Sequence, residues 1–138
     1  MENRRPVFYS GGAEVELEKM KSVFPDFKIE HFSMFHTITS LKWENIYECE
    51  SGEGHRNLSL TMVCSEGYKI LLEFTDVDSL CLRGNGQIAG FYIKDMSERG
   101  YESGSKYEIG DYEENDIAFY CSNVVVKELV KFQHIGLR

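Results

Sequence analysis

Two runs of strict alternation separated by three residues constrain this chain more than any other feature. Leu58, Leu60, Met62 and Cys64 alternate with Ser59, Thr61 and Val63. After Ser65-Glu66-Gly67, Tyr68, Ile70, Leu72 and Phe74 alternate with Lys69, Leu71 and Glu73. A period of two puts each set on its own face of a strand, and a three-residue link ending in glycine closes an antiparallel hairpin. The stretch Ile88–Val126 extends the pattern. It reads as strands Ile88–Lys94, Lys106–Tyr112 and Ile117–Val126 with polar connections between them. In the last of these Ile117, Phe119 and Cys121 share one face, and Ala118, Tyr120 and Ser122 share the other.

Other segments are read the same way. Residues 1–12 form a polar leader whose aromatic pair, Phe8 and Tyr9, also fits a short edge strand. Ala13, Leu17, Met20 and Phe24 recur at helical spacing before Pro25, which predicts an amphipathic helix over 13–24. Phe27–His36 reads as a strand or strand-like connection. Thr37–Trp43 reads as a strand, continued by Ile46–Glu50 after a bulge, and Ser51–Asn57 as a loop. Val77–Leu82 and Ile88–Ile93 read as a hairpin around Gly84-Asn85-Gly86. The segment 127–138 fits a final strand or a short helix. No internal repeat or low-complexity segment is present in the sequence.

Strands that follow one another without intervening helices disfavour a parallel α/β sheet. The expectation is a single domain over 1–138, mainly β (β-rich α+β), with strands over 27–126. It takes the form of an antiparallel β-sandwich or strongly curved sheet with one N-terminal helix. A chain of 138 residues buries roughly two thirds of its unfolded surface and needs no disulfide or metal staple. Its 42% hydrophobic and 13% aromatic content argue against disorder.

Charge narrows the function classes. The net charge is −8, and eight acids between Asp95 and Ile117 oppose only Arg99 and Lys106, which puts −6 of that total in 23 residues. Such a balance repels nucleic-acid phosphates and anionic membranes and favours a basic partner. Nothing after Met1 resembles a signal peptide, and no run approaches the ~18 apolar residues of a membrane span. Cys49, Cys64, Cys81 and Cys121 lack CxxC spacing and lie in or beside strand-like segments. They are expected to be reduced, buried thiols of a cytoplasmic protein.

Motifs of catalysis are missing. Gly84-x-Gly86-x-x-x-Gly90 departs from GxGxxG and precedes FYIKD, a strand pattern, where phosphate binding needs a helix N-terminus. Gly100-Tyr101-Glu102-Ser103-Gly104 is not a nucleophile elbow. The histidines, His31, His36, His55 and His134, form no HxH, HExxH or Cys/His cluster. No catalytic residue, metal site or cofactor is therefore assigned, and the chain is expected not to be an enzyme.

The segment Asp111-Tyr112-Glu113-Glu114-Asn115-Asp116 is dense in carboxylates but lacks the glycine and distal glutamate of a calcium loop. Two readings remain for it: a solvated hairpin turn, or a docking surface for a basic protein with tyrosines supplying contact area. The candidate contact residues are Tyr107, Asp111, Tyr112, Glu113, Glu114 and Asp116.

The runs LSLTMVC, YKILLEF, VDSLCL, IAGFYIKD and DYEENDIAFYCSNVVV, between about Leu41 and Val126, resemble small β-rich bacterial immunity proteins of toxin–immunity systems. The likeness is one of strand order and texture and transfers no site. It implies a cytoplasmic, non-catalytic protein that occludes a basic toxin. The alternative is a small-molecule-binding β domain whose pocket is lined by aromatics such as Trp43, Phe91 and Tyr120. Nothing in the sequence identifies an edge strand for dimerisation, so the oligomeric state is left open.

Overall fold

The computed structural model describes residues 15–96 and 106–131. Residues 1–14, with the expected leader and the first two positions of the expected helix, and residues 97–105 and 132–138 lie outside the described residues. Among the described residues eight strands form two four-stranded antiparallel sheets, in keeping with the expected sandwich. They are β1 (Phe35–Tyr47), β2 (Gly54–Cys64), β3 (Tyr68–Thr75), β4 (Asp78–Leu82), β5 (Phe91–Asp95), β6 (Tyr107–Asp111), β7 (Ile117–Cys121) and β8 (Asn123–Lys131). Sheet one has the order β1-β2-β3-β8 and sheet two the order β4-β7-β6-β5.

The chain builds three adjacent strands in one sheet and sends the fourth into the other, and it does so twice. Strand β3 passes into β4 through Asp76, and β7 passes into β8 through Ser122. The two crossings meet. Ser122 N donates to Thr75 O at 2.9 Å, and its hydroxyl donates to Thr75 O at 3.1 Å and Asp76 Oδ2 at 3.2 Å. Asp76 holds a left-handed backbone, with φ of 56°, that sharpens the bend. Topology thus repeats although the sequence does not.

The alternating residues fill the space between the sheets. Leu58, Leu60, Met62, Ile70, Leu72 and Phe74 face Phe91, Ile93, Ile109, Ile117 and Phe119, all buried. Phe74 and Phe119 meet edge to face across the sandwich, ring centres 4.9 Å apart.

Several sequence expectations change. The helix shrinks to α1 (Glu18–Lys21), because one turn already buries Met20 and Pro25 disfavours helical backbone at Phe24. Of Phe27–His36 only Phe35 and His36 are strand, where β1 opens. Ile29–Met34 forms a 3₁₀ helix, whose three-residue period aligns Ile29 and Phe32 and then Phe35 against the core. Ser51–Asn57 is not all loop, since Gly54–Asn57 opens β2 and pairs with Glu44–Tyr47. That two-stranded arm runs past the pairing of β2 with β3 and is solvated, with Ile46 and Tyr47 exposed among mostly polar residues. Val77–Leu82 and Ile88–Ile93 do not pair with each other. Strand β4 joins β7 and β5 joins β6, at opposite edges of sheet two. The glycine segment between them spans the sandwich and docks on β1, with Ile38 N donating to Gly86 O and Ile88 N to His36 O. The strand read as Ile117–Val126 is two, divided between sheets at Ser122. The segment after Val126 continues as strand to Lys131.

Candidate functional site

The acidic turn Tyr112–Asp116 joins β6 to β7 and is built from within and from a distant segment. Asp111, the one buried charged residue among those described, turns its carboxylate into the loop. Oδ2 accepts from Glu114 N and Oδ1 from Ile117 N, both at 3.0 Å. From the end of the neighbouring strand β4, Arg83 N donates to Asp116 O at 2.8 Å. Its guanidinium donates to Asn115 O at 3.3 Å and Glu114 O at 3.4 Å. One residue thus engages three successive carbonyls.

Glycines bring the glycine segment close to the turn. Gly90, at φ +81°, accepts from Tyr112 N, and a Cβ there would lie 3.1 Å from Tyr112 Cβ. Gly84, at φ +85°, leaves room for the Asp116 carboxyl, 3.0 Å from where a Cβ would stand. These contacts fix the turn and leave Tyr112, Glu113 and Glu114 exposed, with Asp116 half-buried. Among the described residues no cation forms an ion pair with Glu113, Glu114 or Asp116.

Two of the candidate contact residues are not on this surface. Tyr107 is 1% exposed and Asp111 2%, so neither can offer contact area to a partner. The signal was in the alternation: Tyr107, Ile109 and Asp111 share the inward parity of β6, and Glu108 the outward one. Asp111 acts instead as the internal brace of the turn. The aromatics of the pocket reading also separate. Phe91 is buried between the sheets, Tyr120 stands on the outer face of sheet two, and Trp43 lies near the base of the arm in sheet one.

Residues that the sequence did not single out complete the site. Tyr92 stacks on Tyr112, ring centres 4.5 Å apart. It lies over Gly110, where a Cβ would come within 2.7 Å of its hydroxyl. That hydroxyl donates to Glu108 Oε2 at 2.7 Å. Burial first, and then the bond to Glu108, push the Tyr92 hydroxyl well above its ordinary value, so it stays a neutral donor. Lys94 sits 5.8 Å from the Tyr92 ring centre. Beside this pair an open groove of about 440 Å³ runs between the 3₁₀ helix and β5. Its lining includes Tyr92, Tyr112, Glu30, Glu113, Lys94 and Asp95. It has aromatic faces and more carboxylates than cations, which suits a flat or extended cationic side chain.

Among the described residues no cluster of three His, Cys, Asp or Glu could hold a metal ion. The cysteines divide, contrary to the expectation that all are buried: Cys64 and Cys121 are, Cys49 and Cys81 are exposed, and none is in a disulfide. Burial pushes the Cys121 thiol up to about 12 and raises Cys64, which keeps both protonated and inert. No described helix is long and apolar enough to cross a membrane. Comparison with protein-family models, curated proteins and solved structures returns no match.

Proposed function

We propose that this is a non-enzymatic acidic binding protein whose braced turn and adjoining tyrosine groove engage a basic protein. The observation that carries the reading is the pairing of Glu113, Glu114 and Asp116 with the stacked Tyr92 and Tyr112 on one rigid edge of sheet two. Carboxylates steer and pair with Lys or Arg, and the tyrosines offer contact area at low entropic cost. The toxin–immunity resemblance makes a basic toxin the leading partner, held by occlusion of the cationic surface on which it meets phosphates. The proposed setting is the cytoplasm, in keeping with four cysteines outside any disulfide.

The test is capture from native-host lysate at low and moderate salt, with Glu113→Lys/Glu114→Lys/Asp116→Lys as the control bait. Circular dichroism first establishes that both baits are folded. A basic protein held by the wild type, weakened by salt and lost by the variant supports the proposal. Equal retention by the two baits, or none by either, refutes it.

A further inference from the structure

Strand β1 is an edge of sheet one among the described residues, and its geometry is self-complementary. The glycine segment covers the beginning of β1 as far as Ile38, and the arm ends at Tyr47. Between them, on the side away from β2, no described strand or bridge pairs with Thr39–Tyr47. Among the described residues, this is an unprotected edge, a template for another strand.

Its hydrogen-bonding direction follows from the register. Asn45 pairs with Arg56, whose carbonyl points away from β1 to accept from Val77 N at 2.7 Å. Asn45 and Arg56 are therefore a non-hydrogen-bonded pair, and Glu48, three residues on, turns inward, donating to Glu53 O at 2.8 Å. By alternation Leu41, Trp43 and Asn45 turn their N–H and C=O groups outward, to the free edge.

We infer that two copies of this chain pair β1 to β1 antiparallel about a two-fold axis through Trp43, joining their first sheets into one eight-stranded sheet. Trp43 is the midpoint of the open stretch Thr39–Tyr47, so this register uses all of it. The outward residues then meet outward residues: Trp43 faces the partner's Trp43, and Leu41 faces the partner's Asn45. Charge selects the same register. Lys42 faces the partner's Glu44 and Glu44 faces the partner's Lys42, on one face of the new sheet. An axis one residue away would oppose Lys42 with itself or Glu44 with itself. An axis two residues away shortens the pairing. Neither Lys42 nor Glu44 is in an ion pair among the described residues. Isologous pairing of this kind closes on itself and does not propagate. The interface is separate from the acidic turn and stands or falls independently of the binding reading.

Sedimentation velocity across a micromolar concentration series tests this directly. The wild type is expected to shift from monomer to dimer. Lys42→Glu and Glu44→Lys, each creating two like-charge pairs, are expected to weaken the dimer about tenfold. The double variant restores the pairs with signs exchanged and is expected to return the wild-type constant. The chain's one tryptophan supplies a second readout, because its emission shifts to shorter wavelength as the dimer forms. A wild type monomeric throughout overturns the inference. So does a dimer indifferent to the single reversals, or one not rescued by the double.

Discussion

Two acidic projections leave this sandwich, and they are held in opposite ways. The turn Tyr112–Asp116 is fixed from outside itself, by Asp111 beneath it, Arg83 at the end of β4 and Gly90 alongside. The arm tip, with Glu48, Glu50 and Glu53, is held by its own residues. Ser51 Oγ donates to Glu48 Oε1 at 3.0 Å and accepts from Glu53 N at 3.2 Å, and Gly52 N donates to Glu48 O at 2.9 Å. Density of charge is therefore a poor guide to a recognition surface. Preorganisation separates the two, because a surface already ordered loses less freedom when a partner arrives.

The sharpest way to break this comparison is to remove a brace from each side. Asp111→Ala leaves two backbone donors without their acceptor and should destabilise the fold by about 3 kcal/mol in urea denaturation. Ser51→Ala in the arm should change stability by no more than ~0.5 kcal/mol. Equal effects would mean that the turn is no better built than the arm.

A matched pair of glycines sharpens it further. Gly52 and Gly90 both have positive φ, +76° and +81°, but a Cβ at Gly52 meets nothing within 4 Å, whereas one at Gly90 presses on Tyr112. Gly52→Ala should cost about 1 kcal/mol of backbone strain alone, and Gly90→Ala about 1 kcal/mol more. The excess measures the contact between the glycine segment and the turn.

The thiols give a smaller test, in labelling rate. Cys49 in the arm tip and Cys81 should react with a thiol reagent in the native state. Cys64 and Cys121 should react on the order of a hundredfold more slowly, through opening of the core. Fast labelling of all four would remove the contrast between core and projections.

The smallest effect is expected at the base of the arm. His55 Nδ1 lies 2.8 Å from Asp76 Oδ1, and this hydrogen bond first, then the charge of Asp76, raises the imidazole above 6.5. A histidine raised in the fold contributes stability in full below its unfolded value and loses it as pH climbs through the folded one. Proton NMR should place the His55 midpoint above 6.5, falling back towards it in Asp76→Asn, a residue that tolerates the same left-handed backbone. An unchanged midpoint in that variant would remove Asp76 as the cause.

How much of this was legible beforehand depended on whether a segment's partner lay nearby in sequence. The β2–β3 hairpin and the order β6, turn, β7 could be read because alternation and turn residues sit side by side. The partners of β4 and β5 could not. Each is five residues long, and the Gly84–Gly86 pair between them mimics a hairpin turn when it is in fact a spacer that crosses the sandwich. Polar composition disguised the returning side of the arm, Gly54–Asn57, as a loop, since a ribbon wetted on both faces needs no apolar alternation. At the site, exposed carboxylates were visible from charge alone. Arg83, more than thirty residues upstream of the carbonyls it engages, carried no local signal, and neither did Tyr92.

The doubled crossing at Thr75, Asp76 and Ser122 has a consequence for how the molecule comes together. Strands β1, β2 and β3 can zip in sequence order, and so can β5, β6 and β7, since each group is consecutive in the chain and adjacent in its sheet. Neither group is complete without a strand belonging to the other's run of chain. Ser122 must find Thr75, 47 residues away, before β8 can seal the first sheet and β4 the second. That one long-range closure serves both halves, so its entropic cost is shared by the two sheets rather than met once for each.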